Sequence, residues 1–151
     1  MKKSAWLFVF LRVLIGSLFI YSGYIKLMEP AANFTAAILG YQIVDARTAS
    51  SMAVAVPWAE VVAGVFFLAG LWTGPALFLL WGLNAVFTAA ICSALMRHLP
   101  IQNCGCFGEG AHAVPIQTTL ALDGALFFVF LVMSLALEET SAVSLDRALK
   151  D

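Results

Sequence analysis

Residues 6–27 read WLFVFLRVLIGSLFIYSGYIKL, an apolar run with the length needed to cross a bilayer as a helix, about 20 residues. Three further runs of this kind cover about residues 52–72, 75–97 and 116–137. None of the four shows sustained period-two alternation, which excludes a membrane β-barrel. The sequence predicts an all-α membrane protein, a four-transmembrane-helix bundle that forms one integral membrane domain over residues 1–151.

Composition supports this class of protein. The chain is 62% hydrophobic and 11% charged, whereas charged residues make up about a quarter of a soluble domain. The net charge of −1 gives no reason to expect a nucleic-acid partner. The first run differs from a secretory signal because it is long, contains Arg12 and lacks a convincing small-x-small cleavage site before Lys26, so we expect a retained helix.

The positive charges indicate an orientation. Lys2 and Lys3 favour a cytoplasmic N-terminus, and four spans return the C-terminus to the same side. Residues 28–51 and 98–115 then lie outside, where disulfides form and persist. The inner connection, Trp72–Pro75, is short enough to make its two flanking helices antiparallel neighbours.

The first outer loop contains a further candidate helix. Pro30 suits the first turn of a helix and Gly40 suits its end. Phe34 and Ile38 lie between these two residues and Tyr41 follows Gly40, and the three recur at helical spacing. We expect a short amphipathic helix at the membrane surface or over the bundle, with an irregular loop as the alternative.

One face of the first helix combines charges and small residues. Arg12, Gly16, Phe19, Gly23 and Lys26 follow one another at spacings of four and three residues, which puts them on one stripe. Glycines on this stripe allow a neighbouring helix to approach closely. The charges should therefore face the bundle, because a charge that faces lipid costs several kcal/mol.

The depth of polar residues along the helices predicts which of them meet. At about 1.5 Å per residue, Arg12 and Asn84 lie at similar depths from the cytoplasmic side and are expected to pair. Three other unusual groups, Glu60, Cys92 and Asp123, share the outer half of the bundle with Lys26. Two interpretations of the charged groups stay open: packing through ion pairs, or proton transfer to a thiol or a bound quinone. For Cys92 a small buried core residue is the expected role.

The outer loop between the last two runs carries the sequence Asn103-Cys104-Gly105-Cys106-Phe107-Gly108. A disulfide between Cys104 and Cys106 would close a small, strained ring, and strain makes a disulfide easier to reduce. A link across one residue would constrain almost nothing as a structural staple. The motif therefore favours an exchangeable disulfide. The alternative is a site for a soft metal, Cu(I) or Zn(II), formed by Cys104, Cys106 and His112, with His98 as a further candidate ligand.

These motifs resemble those of a known family, the DoxX-like membrane proteins, and specifically the branch of the methylamine utilisation protein MauE. The resemblance covers most of the chain. It rests on the following matched residues, in chain order: Arg12, Gly16, Phe19, Ser22, Gly23, Lys26, Pro30, Tyr41, Pro57, Glu60, Cys104, Gly105, Cys106, Phe107, Gly108 and Asp123.

The resemblance implies a bundle in a bacterial inner membrane and a redox role with a thioredoxin-like extracytoplasmic partner, in disulfide formation or maturation of an exported protein. The expected activity is that of a thiol–disulfide oxidoreductase, with a quinone as a candidate cofactor. Metal binding or delivery and a non-catalytic assembly subunit are the alternatives. The candidate catalytic residues are Cys104, Cys106, Glu60, Asp123, Lys26 and Arg12.

Overall fold

The computed structural model describes residues 2–101 and 115–135, and the side chains from Trp6 onward. These residues form five helices: α1 (Lys2–Met28), α2 (Ala31–Gly40), α3 (Ala46–Ala69), α4 (Thr73–Met96) and α5 (Ile116–Leu135). Four of them, all except α2, are long and apolar enough to cross a membrane. The predicted all-α, four-span architecture is confirmed.

The four long helices run alternately up and down. Gly16 of α1 lies against Gly64 of α3, and Gly23 lies against Pro57. The two helices are therefore antiparallel. The same reversal relates α4 to α5, where Trp81 contacts Phe127 and Ile91 packs near Ile116. One end of the bundle, the α2 end, therefore carries α2, the start of α3, the end of α4 and the start of α5.

Two apolar clusters fill the interior. The larger lies toward the end opposite α2 and receives side chains from all four long helices, among them Ile15, Phe67, Leu77 and Phe130. The smaller lies at the α2 end and gathers Tyr41, Ile91 and Ala94 with their half-buried neighbours. The buried charged and amide side chains that form the candidate site lie between these two clusters.

The outer surface of the bundle is apolar. Phe10, Leu14, Phe78 and Phe128 are all more than half exposed, while charged and amide side chains are buried inside. An apolar exterior around buried charged groups is the distribution expected for helices that contact lipid. The chain is thus a multi-pass membrane protein with a lipid bilayer as its environment.

The expected helix in the first loop is present as α2. It begins directly after Pro30, ends at Gly40 and buries Phe34 against the bundle. Arg97, just past the end of α4, donates hydrogen bonds from its Nη1 to the carbonyl oxygens of Tyr41 at 2.9 Å and Gln42 at 3.5 Å. These bonds hold the end of α2 against the end of α4.

Several predicted boundaries differ from the observed ones by a few residues, and two of the differences have a clear local cause. Helix α3 begins at Ala46, about six residues before the expected start, because the Asp45 carboxylate accepts hydrogen bonds from the backbone N–H groups of Arg47 and Thr48. Helix α4 begins at Thr73, so Gly74 and Pro75 belong to its first turn and not to the connection. The turn consists of Gly70, Leu71 and Trp72, and the φ angles of Gly70 and Trp72 are positive.

Candidate functional site

A buried ion pair joins α1 to α3 near the α2 end of the bundle. Lys26 Nζ lies 2.7 Å from Glu60 Oε1 and 2.9 Å from Glu60 Oε2. The ammonium also donates to Ser22 Oγ at 3.1 Å, and the Ser22 hydroxyl donates to Glu60 Oε2 at 3.4 Å. Both charged side chains are about 1% exposed, so each charge is compensated by direct hydrogen bonds and not by water.

Glycines bring the two helices close enough for this pair to form. A β-carbon on Gly23 would lie 2.7 Å from the carbonyl oxygen of Pro57, and one on Gly16 would lie 3.1 Å from that of Gly64. Such distances leave no room for a side chain. The stripe of small and charged residues on α1 therefore faces the bundle as predicted, and it packs against α3.

Two aromatic rings cover the ammonium group of Lys26. Its Nζ lies 5.2 Å from the ring centroid of Phe34 in α2 and 4.8 Å from that of Phe87 in α4. Both distances are in the range of a cation–π interaction. Helix α2 thus closes the α2 end over the ion pair, which explains the burial of Lys26 so near the end of α1.

A small cavity next to the ion pair brings together polar groups from all four long helices. Its volume is about 30 Å³, and its lining includes Ser22 of α1, Glu60 of α3, Asn84 of α4 and Asp123 of α5. The Asn84 side chain is 2% exposed, and its Oδ1 has no hydrogen-bond partner among the described residues. We call Ser22, Lys26, Glu60, Asn84 and Asp123 the polar cluster.

The polar cluster can hold and move protons. Glu60 and Asp123 are oxygen acids that line one cavity, and Ser22 carries a hydroxyl that can accept and donate a hydrogen bond. A volume of this size with several polar groups on its wall is sufficient for one water molecule. The expected gathering of Lys26, Glu60 and Asp123 in one half of the bundle is confirmed by their positions.

Arg12 lies apart from the polar cluster. It is 14 residues before Lys26 on α1, a separation of about 21 Å along the helix axis. Its Nη1 is 2.8 Å from the position that a β-carbon would take on Gly70, the C-cap of α3. A cation at this end of a helix interacts favourably with the helix dipole. The expected pairing of Arg12 with Asn84 is wrong, because the two side chains face different neighbours.

Cys92 is also separate from the polar cluster. It is a free thiol on the exposed side of α4, so the prediction that it is buried in the core is wrong. Its direction around the helix differs from the expected one. The neighbouring residues Ile91 and Ala94 are buried, so the face of α4 that packs inward is theirs and not that of Cys92.

Three of the predicted site residues, Cys104, Cys106 and His112, lie outside the described residues. His98, the further candidate metal ligand, is exposed after the end of α4, with a φ of 52°. Within the described residues 2–101 and 115–135, no group of three or more His, Cys, Asp or Glu side chains could hold a metal ion.

Sequence reasoning missed three members of the site. Ser22 entered only as part of a motif, Asn84 was assigned to Arg12, and Phe87 was not singled out. A search for one polar residue per helix at matching depth would have detected Ser22 and Asn84, because both lie within otherwise apolar segments.

Comparison with known proteins identifies one related family. The family model described as methylamine utilisation protein MauE matches residues 4–137. The matched range contains every residue of the polar cluster and the segment with Cys104 and Cys106. A comparison with curated proteins and one with solved structures found no match.

Proposed function

This chain belongs to the family of the methylamine utilisation protein MauE, and from this membership we propose that it is a membrane thiol–disulfide redox component, kin to the wider DoxX-like proteins. Its reactive group is the pair Cys104 and Cys106, which exchanges electrons with a thioredoxin-like protein outside the cytoplasmic membrane. The exchange supports disulfide formation or maturation of an exported protein. The family description, methylamine utilisation protein, fits an accessory role at the membrane, and the thiol chemistry is our proposal.

The exchange follows ordinary disulfide chemistry. A thiolate of the partner attacks one sulfur of the Cys104–Cys106 disulfide, forms a mixed disulfide and releases the other cysteine as a thiolate. The second partner thiolate then attacks the mixed disulfide. The partner leaves as a disulfide, and Cys104 and Cys106 remain as two thiols that have gained two electrons and two protons. The same steps in reverse describe reduction of the partner.

The observation that carries this function is the position of the polar cluster relative to the chain connection. Residues 97–115, which include Cys104 and Cys106, join the end of α4 to the start of α5, and both of these helix ends belong to the α2 end of the bundle. Lys26 and Glu60 lie buried beneath that same end. Thiol exchange consumes and releases protons, so a redox pair benefits from acids that can relay them. Glu60 and Asp123 would relay protons in this way, with Lys26 fixing the position of Glu60.

The decisive experiment captures the mixed disulfide in membranes. In a Cys104→Ser or Cys106→Ser variant, the remaining cysteine has no internal partner, so its bond to the thioredoxin-like protein should persist and migrate as a thiol-sensitive adduct. The matched control is Cys92→Ser, which should behave as the wild type because Cys92 is on the exposed face of α4. Failure of both variants to form an adduct, with unchanged thiol content of the pair in growing cells, would exclude the redox role. Stoichiometric copper or zinc lost on substitution of Cys104, Cys106 and His112 would favour the metal alternative instead.

The proposed location is a bacterial inner membrane, with both termini in the cytoplasm, the cysteine pair outside and residues 1–151 as a single domain. A membrane-impermeant thiol reagent added to intact spheroplasts should label the reduced pair. A Ser51→Cys variant supplies a matched position at the exposed start of α3, at the α2 end. Labelling of both only after cell lysis would reverse the orientation.

A further inference from the structure

An apolar pocket of about 360 Å³ opens between α2 and α4 at the α2 end. Its lining includes Phe34, Ile38 and Tyr41 from α2 and its C-cap, Met52 from α3, and Phe87 and Ala89 from α4. Ligand pockets in proteins have volumes of about 300 to 1,000 Å³ and predominantly apolar walls. This pocket is in the lower part of that range, which suits one or two fused rings and not a large cofactor.

The pocket is accessible from outside the bundle. Ile43 and Val86 belong to its lining and are 54% and 57% exposed. The neighbouring surface is the apolar exterior of the helices, so an entering molecule would come from the lipid phase. An uncharged, lipid-soluble molecule is therefore the type of ligand that the lining and the entrance select.

The inner wall of the pocket is shared with the polar cluster. Phe34 and Phe87 line the pocket and also cover the Lys26 ammonium at 5.2 and 4.8 Å. Phe87 in addition lines the small cavity that contains Glu60, Asn84 and Asp123. One phenylalanine ring would thus lie between a molecule bound in the pocket and the side chains of the polar cluster.

The pocket is also adjacent to the ends of the segment that carries the cysteine pair. Tyr41, Phe87 and Ala90 line the pocket and pack in the same apolar cluster as Ile101 and Ile116. Ile101 precedes and Ile116 follows residues 102–114 in the chain. The pocket, the proton-carrying groups and the attachment points of the redox segment therefore meet at one end of the bundle.

From this juxtaposition we infer that the pocket binds the ring of a membrane quinone, which exchanges electrons with the Cys104–Cys106 pair. This inference rests on the proposed function, because a dithiol that is oxidised must pass its electrons to an acceptor. Two thiols become a disulfide and release two electrons and two protons, and a quinone that takes up both becomes a hydroquinone. A quinone is lipid-soluble and carries two electrons, which fits both the apolar entrance and the chemistry of the pair.

A binding experiment with a full-length, cysteine-free chain tests the pocket independently of thiol chemistry. The variant replaces Cys92, Cys104 and Cys106 by serine, because quinones add covalently to thiols. Radiolabelled menadione is equilibrated with this chain in nanodiscs, and binding to empty nanodiscs is subtracted. We expect saturable binding at one site per chain.

Two substitutions on the same face of α4 locate that site. Ala89→Trp fills the pocket from a residue of its lining and should weaken menadione binding by about tenfold or more, a loss typical of a blocked apolar contact. Gly82→Trp adds the same side chain two turns away, where a β-carbon has no neighbour within 4 Å, and should leave the affinity unchanged. Equal effects of the two variants would overturn the inference.

Decanol, an alcohol with an alkyl chain and no ring, distinguishes binding of a quinone from binding of a lipid acyl chain. Decanol should not displace menadione if the pocket is built for a planar ring, whereas equal competition would make it a site for lipid acyl chains and would overturn the inference. In the chain with its cysteines intact, Ala89→Trp should slow thiol-dependent reduction of menadione, whereas Ala89→Trp combined with Cys104→Ser should still form the mixed disulfide with the partner. Absence of quinone binding together with a trapped partner would reject the pocket while leaving the thiol exchange in place.

Discussion

The two helix pairs of the bundle pack in different ways, although all four helices are similarly apolar. Helices α1 and α3 approach through Gly16, Gly23 and Gly64, at each of which a β-carbon would lie within about 3 Å of the facing helix. Helices α4 and α5 pack through large rings such as Trp81 and Phe127, with centroids 5.5 Å apart. The glycines of these two helices have no neighbour within 4 Å of an added β-carbon.

This difference coincides with different surroundings for the polar groups of the two helix pairs. The close α1–α3 contact holds Lys26 and Glu60 in a short, doubly hydrogen-bonded ion pair. The wider α4–α5 contact leaves Asn84 and Asp123 at the edge of a cavity. The α1–α3 contact is thus the closer of the two, and the α4–α5 contact borders the small cavity.

The largest effect is expected from removal of one member of the ion pair. Lys26→Met leaves the Glu60 carboxylate buried without its counter-ion, which should lower the free energy of unfolding by about 3–5 kcal/mol. Unfolding of the purified protein in micelles measures the change. The double variant Lys26→Met/Glu60→Leu removes both charges and should recover most of the loss. A single variant no less stable than the double variant would show that the pair does not support the fold.

The second effect tests the close contact between α1 and α3. Gly23→Ala puts a methyl group 2.7 Å from the Pro57 carbonyl oxygen, and such overpacking costs about 1–3 kcal/mol. The matched variant Gly82→Ala adds the same methyl group to α4 in open space, where it should be neutral or stabilise the helix by up to about 1 kcal/mol. A lower free energy of unfolding for Gly23→Ala but not for Gly82→Ala is the expected result, and equal losses would contradict the packing difference.

The features that could be predicted from the sequence are those that one helix determines by itself. The apolar runs predicted the four spans, and the spacing from Arg12 to Lys26 predicted the buried face of α1. Depth along a helix likewise put Lys26 and Glu60 in the same half of the bundle. Depth carries no information about direction around the bundle, which depends on how neighbouring helices pack. For this reason Asn84 was assigned the wrong partner and Cys92 the wrong face.

The early start of α3 was missed for a different physical reason. Residues 46–51 are largely small and polar, so hydropathy gives no sign of a helix there. The start is determined by a local hydrogen-bond pattern at Asp45, not by burial. A search for Asp or Ser followed by Thr at capping distance would have found it.

The third effect concerns the α4–α5 side of the polar cluster. Asn84 Oδ1 is buried without a partner among the described residues, and an unsatisfied buried acceptor costs about 1–3 kcal/mol. Asn84→Leu has a similar volume and no polar atoms, so it should raise the free energy of unfolding by about 1 kcal/mol while it impairs proton-coupled thiol exchange. A loss of stability of that size would instead mean that a bound water satisfies Asn84 in the folded protein. The pair of measurements, stability and exchange rate, separates a structural from a functional role.

The smallest effect is expected at the start of α3, where the Asp45 cap is exposed to water. Hydrogen bonds from the Thr48 hydroxyl and from backbone N–H groups lower the pKa of Asp45 below its ordinary value of 3.8. A lowered pKa means that the folded state favours the carboxylate, so its contribution is fully present above pH 3.8 and is lost as the pH falls through the folded-state pKa. Asp45→Asn keeps a good capping side chain but does not titrate. The Thr48 amide of the wild type should therefore exchange faster than the same amide of Asp45→Asn only below about pH 4, the range in which an Asp titrates. A difference that grows as the pH rises would contradict the assigned sign.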